Sequence, residues 1–435
     1  MPIAARCMME ALNTKVPIGP CSIKMVSTIS KNGEECQALK LSPRPLTNNM
    51  QPLLDLGTQP LVNNLCASAR EAMEAERFPL KAFYGDDLTI CLDTEVPPEK
   101  LYAHYLYRSG VSKPYIDHCE KLYASLAHLD LSTVIDIGGN DGTLLNTFRA
   151  ASSKYKSWSG KPPQEFINVD MGANLREANE ATGNKFICGQ FNENMDLPAA
   201  NLIVSTNVFQ HTQDIHSFLR GIVKFLDGVW VLEFPYTLTT LLTNQFDQFY
   251  HEHYYYWLLS PLIKLFHHYG LKIIHLQELP IHGGTMRLWM TNKEPSAAEI
   301  TPLLDDYKRK ESLIDFSAFQ VNCTSHMQKS KNFLSCLEGR IAFFGAAAKG
   351  CVFLNALGLS IENMPNAFII DDTPEKQGMF VPGTGFEIHP RSVLDEQTVD
   401  NIIILPHNFA RYIASTLRPA FNGGIYTMLP SIASF

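Results

Sequence analysis

Apolar and polar positions alternate in two separate zones of the chain, and each zone predicts an α/β unit. In residues 119–293, and again in residues 336–435, strand-like apolar runs alternate with helical runs, which is typical of parallel sheets covered by helices. Residues 294–335 predict a polar helical linker between the two units. Residues 51–118 mix short apolar runs with turns and predict a small domain, whereas residues 1–50 lack periodicity and predict a partly disordered terminus.

Composition and charge exclude several classes of protein. The chain has 435 residues, is 45% hydrophobic and carries a formal net charge of -8, so no excess of Lys and Arg favours nucleic acid. The chain contains no run of 18 apolar residues, so we expect no membrane span. The first residues also lack the apolar core of a secretory signal. The ten cysteines are irregularly spaced and do not predict a disulfide framework. We therefore expect a cytoplasmic protein with no membrane or nucleic-acid partner.

A glycine-rich turn follows the first strand of the first α/β unit. The apolar run Val134–Ile137 leads into GGNDG and then into a helical pattern. Glycines at the carboxyl end of a strand let the backbone approach a ligand closely. The carboxylate of Asp136 would repel a pyrophosphate but not a cationic sulfonium, which favours S-adenosylmethionine over a dinucleotide; a purely structural turn is the alternative. The predicted cofactor contacts here are Asp136, Gly138, Gly139, Asp141 and Gly142.

Polar residues also stand at the ends of the next strands. The run EFINVD ends at Asp170, whose carboxylate suits a ribose diol, and Asn174 follows it. The run NLIVSTNVFQH ends with Asn207, Gln210 and His211. We predict that Asp170, Asn174 and Asn207 contact the cofactor, whereas His211 is either a ligand at this sheet edge or a satisfied structural histidine.

The stretch QFYHEHYYYW, residues 248–257, concentrates titratable rings around one glutamate. His251, Glu252 and His253 could serve proton transfer, because an imidazole titrates near pH 6.5. The alternative is a helix start whose rings pack in the core. A zinc helix needs two histidines at i and i+4, and these stand at i and i+2, so a metal is not expected here.

Two later motifs add candidate substrate contacts. HGGTMR, residues 282–287, predicts either a close backbone approach to the substrate or a hairpin turn between two strands. Arg287 in this motif is a candidate ligand for a diphosphate. The second α/β unit begins with a strand and the turn GAAAKG, where Lys349 could add a positive charge at a helix N-terminus; a solvent-exposed lysine is the alternative.

An ordered set of motifs resembles one family over most of the chain, from about Leu53 to about Arg411. The motifs are LDLGTQPLVNNL, YLYRSGVS, DIGGNDGTLL, NVFQH, FDQFYHEHYYYW, HGGTMR, FFGAAAKG, IDDTPEKQGMFVPGTGFEI and PHNF. Together they resemble the nucleotide-sugar C-methyltransferases, such as the C-3′-methyltransferase of the tetronitrose pathway. The resemblance implies a zinc-binding N-terminal domain, a central Rossmann-like class I S-adenosylmethionine domain and a C-terminal Rossmann-like domain that assists sugar-nucleotide binding. It also implies a monomer.

The resemblance implies roles for individual residues. The family methylates C3 of a nucleoside-diphosphate 4-keto-6-deoxyhexose through an enolate, and His253 would be the base that removes the C3 proton. Glu252 would orient or polarise this base, or bind a sugar hydroxyl. The keto-sugar pocket would be lined by Tyr250, His211 and Tyr107, with Tyr105 as the substitute if the register slips.

The N-terminal region departs from the family pattern. Tyr84 and Asp87 stand where the second Cys-x-x-Cys pair is expected, and only Cys36 stands near the place of the first. We therefore expect this domain to be degenerate and zinc to be lost. Two competing interpretations stay open at this point: O- or N-methylation of another small molecule on the same scaffold, and a relative that binds ligand without turnover.

Overall fold

The computed structural model describes residues 49–94, 96–97, 100–101, 109–111, 113–154, 160–294 and 300–435. The predictions for residues 1–48, which include Cys36, and for Tyr105 and Tyr107 lie outside the described residues. The domain boundaries given above stay a prediction.

The strands of the described residues are numbered in chain order. They are β1 Gln51–Pro60, β2 Arg77–Tyr84, β3 Ile90–Leu92, β4 Thr133–Ile137, β5 Glu165–Asp170, β6 Lys185–Cys188, β7 Ala200–Thr206, β8 Leu226–Pro235, β9 Tyr255–Tyr256, β10 Lys272–Leu279, β11 Thr285–Thr291, β12 Ile341–Phe344, β13 Phe368–Ile370, β14 Ile388–His389, β15 Asn401–Ile404, β16 Gly424–Thr427 and β17 Ala433–Ser434.

The α-helices are numbered in the same way. They are α1 Ala69–Met73, α2 Lys113–Leu126, α3 Thr143–Lys154, α4 Arg176–Ala181, α5 Ile215–Phe225, α6 Thr237–Leu242, α7 Leu259–His268, α8 Thr301–Glu311, α9 Phe316–Cys336, α10 Ala348–Ala356, α11 Val393–Glu396 and α12 Ala410–Leu417. Helices α8 and α9 occupy most of the range for which the sequence predicts a polar helical linker.

The strands form three sheets. An antiparallel sheet has the order β1-β2-β3-β9. A seven-stranded sheet has the order β10-β11-β8-β7-β4-β5-β6 and is parallel except that β11 runs antiparallel to β8 and β10. A six-stranded sheet, β14-β13-β12-β15-β16-β17, is parallel except at β17. The α/β class predicted from the two alternating zones is confirmed.

In both parallel sheets the strand order reverses beside the first strand. After β4 the chain adds β5 and β6 on one side and then returns to place β7 on the other; β12 and β15 have the same relation in the third sheet. The loops that follow the two strands at such a point diverge, and the crevice between them is where doubly wound sheets bind ligands. The loops after β4 and β7, and after β12 and β15, are therefore expected to form sites.

The stretch of residues 248–257 is not the start of a helix. A short turn at Phe246–Gln248 leads to the two-residue strand β9, which pairs with β3 of the first sheet. The rings of Tyr254, Tyr255 and Trp257 are buried. The alternative interpretation of this stretch was a helix start whose rings pack in the core. The core packing is right for these three rings. The helix is wrong, because bulky aromatic residues favour a pleated, half-buried strand.

Candidate active site

A cavity of about 400 Å³ lies between the carboxyl ends of the two parallel sheets. Its walls come from the loops after β4, β5 and β7, from the aromatic stretch before β9, and from the loops after β12 and β15. The structure brings eight of the predicted site residues together in this lining: Gly138, Asp170, Asn207, His211, Tyr250, Glu252, His253 and Lys349.

The turn after β4 can pack against Val208 only because residue 138 lacks a side chain. Gly138 has a φ of +66°, and a Cβ there would lie 2.3 Å from Cγ2 of Val208. Across the cavity wall, Asn207 also has a positive φ, and its buried Oδ1 has no hydrogen-bond partner among the described residues. A cradle that excludes a Cβ, beside an unsatisfied buried acceptor, fits S-adenosylmethionine.

Asp170 and Asp136 supply the negative charge near this turn. The Asp170 carboxylate accepts backbone N–H bonds from Asn140 at 3.0 Å and Gly172 at 2.8 Å. Asp136 is fully buried, and neither of its oxygens has a partner in the part of the chain that the structure describes. Burial, followed by the Asp170 carboxylate, raises the pKa of Asp136 well above its usual value. A cationic ligand nearby would favour the ionised form.

The remaining predicted cofactor residues lie outside the cavity lining. Gly139 makes room for Asp136, because a Cβ at residue 139 would lie 2.5 Å from Asp136 Oδ2. Gly142 makes room in the same way for Asn179, 2.4 Å from the position of such a Cβ. Asn174 is exposed on the turn after β5.

Asp141 ties the glycine turn to the segment before α2. One carboxylate oxygen accepts from the backbone and hydroxyl of Thr143, where α3 begins, at 3.2 and 2.6 Å. The other accepts the backbone N–H of Gly110 at 2.9 Å, and the neighbouring Asn140 side chain accepts that of Ser109 at 3.1 Å. Asp141 therefore holds the turn in shape.

His253 is buried, and a backbone carbonyl sets which of its ring nitrogens carries the hydrogen. Its Nδ1 lies 3.1 Å from the carbonyl oxygen of Gln248. A carbonyl can only accept, so Nδ1 carries the hydrogen and Nε2 keeps the lone pair. Burial, then the charges of His211 and Lys349, lowers the pKa of His253 well below 6.5. The ring is therefore neutral and basic at Nε2 near pH 7.

Two further rings surround His253. The Tyr250 ring lies 3.9 Å away and the His211 ring 4.8 Å away, measured between centroids. His211 Nδ1 donates to the carbonyl of Glu252 at 2.8 Å, and burial lowers the pKa of His211 to about 4. His211 thus also presents a neutral imidazole, and its role as a ligand at this sheet edge stays a prediction.

Glu252 is held by a residue that the sequence analysis did not single out. Asn63, in the turn after β1, donates its Nδ2–H to Glu252 Oε1 at 2.6 Å. Burial raises the pKa of Glu252 to about 7, and the Asn63 bond partly offsets this rise. Asn63 stands in the quoted motif LDLGTQPLVNNL, which was the available signal. The adjacent His251 instead donates to the Pro79 carbonyl at 3.1 Å and packs on Phe78.

Arg287 does not reach the cavity. It lies on β11, where its Nε donates to Glu233 and its Nη2 lies 3.0 Å from Nε2 of His118. His118 also contacts Glu233 at 2.8 Å. The guanidinium is buried and its charge is offset by Glu233. Burial raises the pKa of Glu233, but His118 and Arg287 outweigh this effect and hold the pKa below its usual value. The structure thus gives Arg287 an internal partner and not a diphosphate.

Lys349 lines the cavity near the start of α10 and contacts the HGG turn. Its Nζ donates to the carbonyl of His282 at 2.7 Å, and Gln248 Nε2 donates to the same oxygen at 3.0 Å. Burial lowers the pKa of Lys349 to about 8, an effect that Asp247 partly offsets. His282 and Gln248 were not predicted as site residues, although both stand in quoted motifs.

No group of three or more His, Cys, Asp or Glu side chains that could hold a metal occurs among the described residues. At the expected cysteine places, Tyr84 stacks on Phe316 with ring centroids 3.9 Å apart, and Asp87 accepts hydrogen bonds from Thr89. The donor set at these two positions does not fit a structural zinc. Within the same ranges, no helix is long and apolar enough to cross a membrane.

Comparison with known proteins gives two family matches and a relative. A methyltransferase domain family matches residues 107–276, and a C-methyltransferase C-terminal domain family matches residues 280–430. C-methyltransferase NovU of Streptomyces niveus is 25% identical over 408 residues, which cover 87% of this chain and 92% of NovU.

Solved structures share only part of the fold. An S-adenosylmethionine-dependent methyltransferase from Clostridium acetobutylicum is 11% identical, with a TM-score of 0.32, over 40% of this chain and 89% of that chain. The YcgJ protein of Bacillus subtilis is 20% identical, with a TM-score of 0.29, over 38% of this chain and 73% of that chain. These two structures cover about two fifths of this chain, and no argument about its function is based on them.

Proposed function

We propose that this chain, an S-adenosylmethionine-dependent C-methyltransferase, methylates C3 of a nucleoside-diphosphate 4-keto-6-deoxyhexose. The observation that carries this proposal is the buried neutral His253, with its lone pair on Nε2, in the same cavity as the Gly138 turn. Carbon methylation through an enolate requires an acidic carbon and a base. The carbon next to a ketone supplies the acid, and the His253 imidazole supplies the base.

The chemistry follows from the acidity of a carbon next to a ketone. The C4 carbonyl acidifies the C3 proton, which His253 Nε2 removes. The C3–H electron pair then forms the C3–C4 double bond, and the carbonyl π pair moves to the C4 oxygen, which gives an enolate. His253 has a lowered pKa and is therefore already deprotonated at neutral pH, so no activation step precedes proton removal. Bound S-adenosylmethionine supplies an electrophilic methyl group to C3.

The cofactor and the sugar would occupy adjacent parts of one cavity. Gly138, Asp170 and Asn207 would hold the cofactor, while Tyr250 and His211 lie beside His253 at the other part. Glu252, ionised above its pKa of about 7, would stabilise the imidazolium that forms on His253 or accept from a sugar hydroxyl. The predicted contribution of Tyr107 or Tyr105 stays a prediction.

Replacing His253 tests the proposal. His253→Gln should reduce exchange of the C3 proton with deuterated water by about 10²–10⁴-fold, because the base is lost. Exchange is followed by NMR with a thymidine-diphosphate 4-keto-6-deoxyhexose, and methyl gain by mass spectrometry. The affinity for S-adenosylmethionine, measured by calorimetry, should stay within a few fold.

The matched control is His267→Gln, which changes an exposed histidine at the end of α7. It should exchange and methylate like the wild type. Exchange at the wild-type rate in His253→Gln would show that another group is the base. A wild-type protein that binds S-adenosylmethionine but neither exchanges C3 nor methylates the sugar would overturn the substrate class.

A further inference from the structure

Lys349 is a cation in the cavity wall whose charge no carboxylate directly offsets. Among the described residues, no Asp or Glu oxygen forms an ion pair with its Nζ. Asp247 is the carboxylate that acts on it, and Oδ2 of Asp247 lies 3.4 Å from Nε2 of His407 without a hydrogen bond to that nitrogen. An ammonium has three N–H donors, and one of them goes to the carbonyl of His282. The other two are available to an anionic oxygen in the cavity.

A short chain of hydrogen bonds joins this ammonium to His253. Lys349 and the Gln248 amide both donate to the carbonyl of His282, at 2.7 and 3.0 Å. The Gln248 backbone carbonyl in turn accepts from His253 Nδ1 at 3.1 Å. His282, which accepts from the cation, and Gln248, which accepts from the imidazole, are thus joined to each other by a hydrogen bond.

The backbone at the centre of this chain adopts an unfavourable conformation. His282 has a φ of 55°, in the left-handed region that non-glycine residues rarely adopt. Such a conformation is strained and persists where the surroundings fix it, which is common at functional sites. Here it directs one carbonyl at donors from the aromatic stretch and from α10.

We propose that Lys349 is a catalytic residue that contacts the C4 oxygen of the sugar and stabilises the enolate. This inference rests on the proposed function. As the C3–H bond breaks, the proton goes to His253 Nε2, its electron pair forms the C3–C4 double bond, and the carbonyl π electrons go to the C4 oxygen. The Lys349 ammonium donates to that oxygen and gains strength as negative charge develops there, which is how a fixed cation lowers a barrier.

The other cavity lysine is arranged differently. Lys376 donates to the carbonyl of Ala346 at 2.9 Å, and its Nζ lies 3.7 Å from a carboxylate oxygen of Asp371. Its charge is therefore partly offset within the third sheet. Of the two, Lys349 is the one joined to the proposed base by hydrogen bonds, through His282 and Gln248. This connection favours a role at the reacting carbons over one at the diphosphate.

The test separates chemistry from binding by replacing the amine with Lys349→Met and Lys349→Arg. At saturating sugar nucleotide, Lys349→Met should slow C3 exchange in deuterated water by about 10²-fold, as for loss of an oxyanion donor. The dissociation constant of the sugar nucleotide should stay within a few fold. Lys349→Arg keeps the charge and should recover part of the rate. The exposed Lys329→Met on α9 is the control.

Each other outcome overturns the inference. A Lys349→Met variant with weaker sugar-nucleotide binding but wild-type exchange at saturation would show that the lysine serves the diphosphate. Exchange and binding both at wild-type levels would show that it serves neither. Because exchange needs no methyl transfer, a wild type that exchanges supports the proposed function even where the Lys349 variants overturn this role; a wild type that does not exchange would sink both.

Discussion

Burial acts in opposite directions on neighbouring titratable residues of the candidate site. It raises the pKa of Glu252 to about 7 and lowers the pKa of His253 well below 6.5, because desolvation disfavours whichever form is charged. The two adjacent residues thus exchange their usual order: at pH 7 the histidine is a free base while the glutamate is partly protonated. Separated pKa values of this kind are typical of acid–base sites.

The pH dependence of turnover should report Glu252 on its acid side. If the ionised carboxylate supports the imidazolium on His253, kcat/KM rises as the pH increases through about 7, the pKa of Glu252. It falls again above about 8, where Lys349 loses its proton. Measured from pH 5.5 to 9.5, Glu252→Gln should lack the acid limb and Lys349→Arg should lack the basic one.

The exposed Glu165→Gln, at the first position of β5, is the control and should keep both limbs. An acid limb that persists in Glu252→Gln would assign it to another group.

At the scale of elements, one buried carboxylate joins the linker helices to the methyltransferase sheet. Glu311, the last residue of α8, is fully buried and accepts from the Tyr236 hydroxyl at 2.8 Å. It also accepts the backbone N–H groups of Leu259 and Ser260 at 2.6 and 2.7 Å. These two donors open α7 and have no partner within the helix, so α8 caps α7 from a distant part of the chain.

Glu311→Gln should destabilise the fold without altering the site. Loss of the charge weakens several hydrogen bonds at once and should lower the free energy of unfolding by about 3 kcal/mol. Differential scanning fluorimetry would show this as a lower melting temperature. Asp305→Asn, on the exposed part of the same helix, is the control and should melt like the wild type. An unchanged melting temperature in Glu311→Gln would contradict the capping role.

At the scale of the whole molecule, the N-terminal sheet belongs to the site through direct contacts. Asn63 reaches Glu252, the Pro79 carbonyl accepts from His251, and β3 pairs with β9 beside the aromatic stretch. The sheet also meets α9 through the stacked rings of Tyr84 and Phe316. Tyr84 thus packs at one of the positions where the resemblance implies a zinc-binding cysteine.

Chelation should therefore leave the described fold intact. We expect the melting temperature and the methylation rate to be the same before and after dialysis against EDTA. Tyr84→Ala should lower the melting temperature, because an aromatic pair contributes about 0.5–1.5 kcal/mol beyond the area it buries. The half-exposed Tyr412→Ala is the control. A chelator-induced loss of stability would show a metal that these residues do not account for.

Much of the fold could be predicted from local signals. Hydrophobic alternation predicted the two α/β units, and the glycine turn and the polar strand ends placed Gly138, Asp170, Asn207 and His211 at one edge of a sheet. These predictions succeed because periodicity and turn chemistry depend on residues that are near each other in sequence. The prediction that Asp141 contacts the cofactor stays a prediction, and in the structure its oxygens accept hydrogen bonds from Gly110 and Thr143.

The tertiary structure decided which of these residues act together, and on what terms. Glu252 meets Asn63 across 189 positions of the chain, and Lys349 meets His282 across 67. Arg287, a candidate diphosphate ligand by sequence, pairs with Glu233 in the folded chain. Sequence determined the α/β class of the two units, the glycine turn after β4 and the polar residues at the strand ends. Desolvation and hydrogen-bond pairing, which set the charge of His253, Glu252 and Lys349, arise from neighbours that only the folded chain brings close.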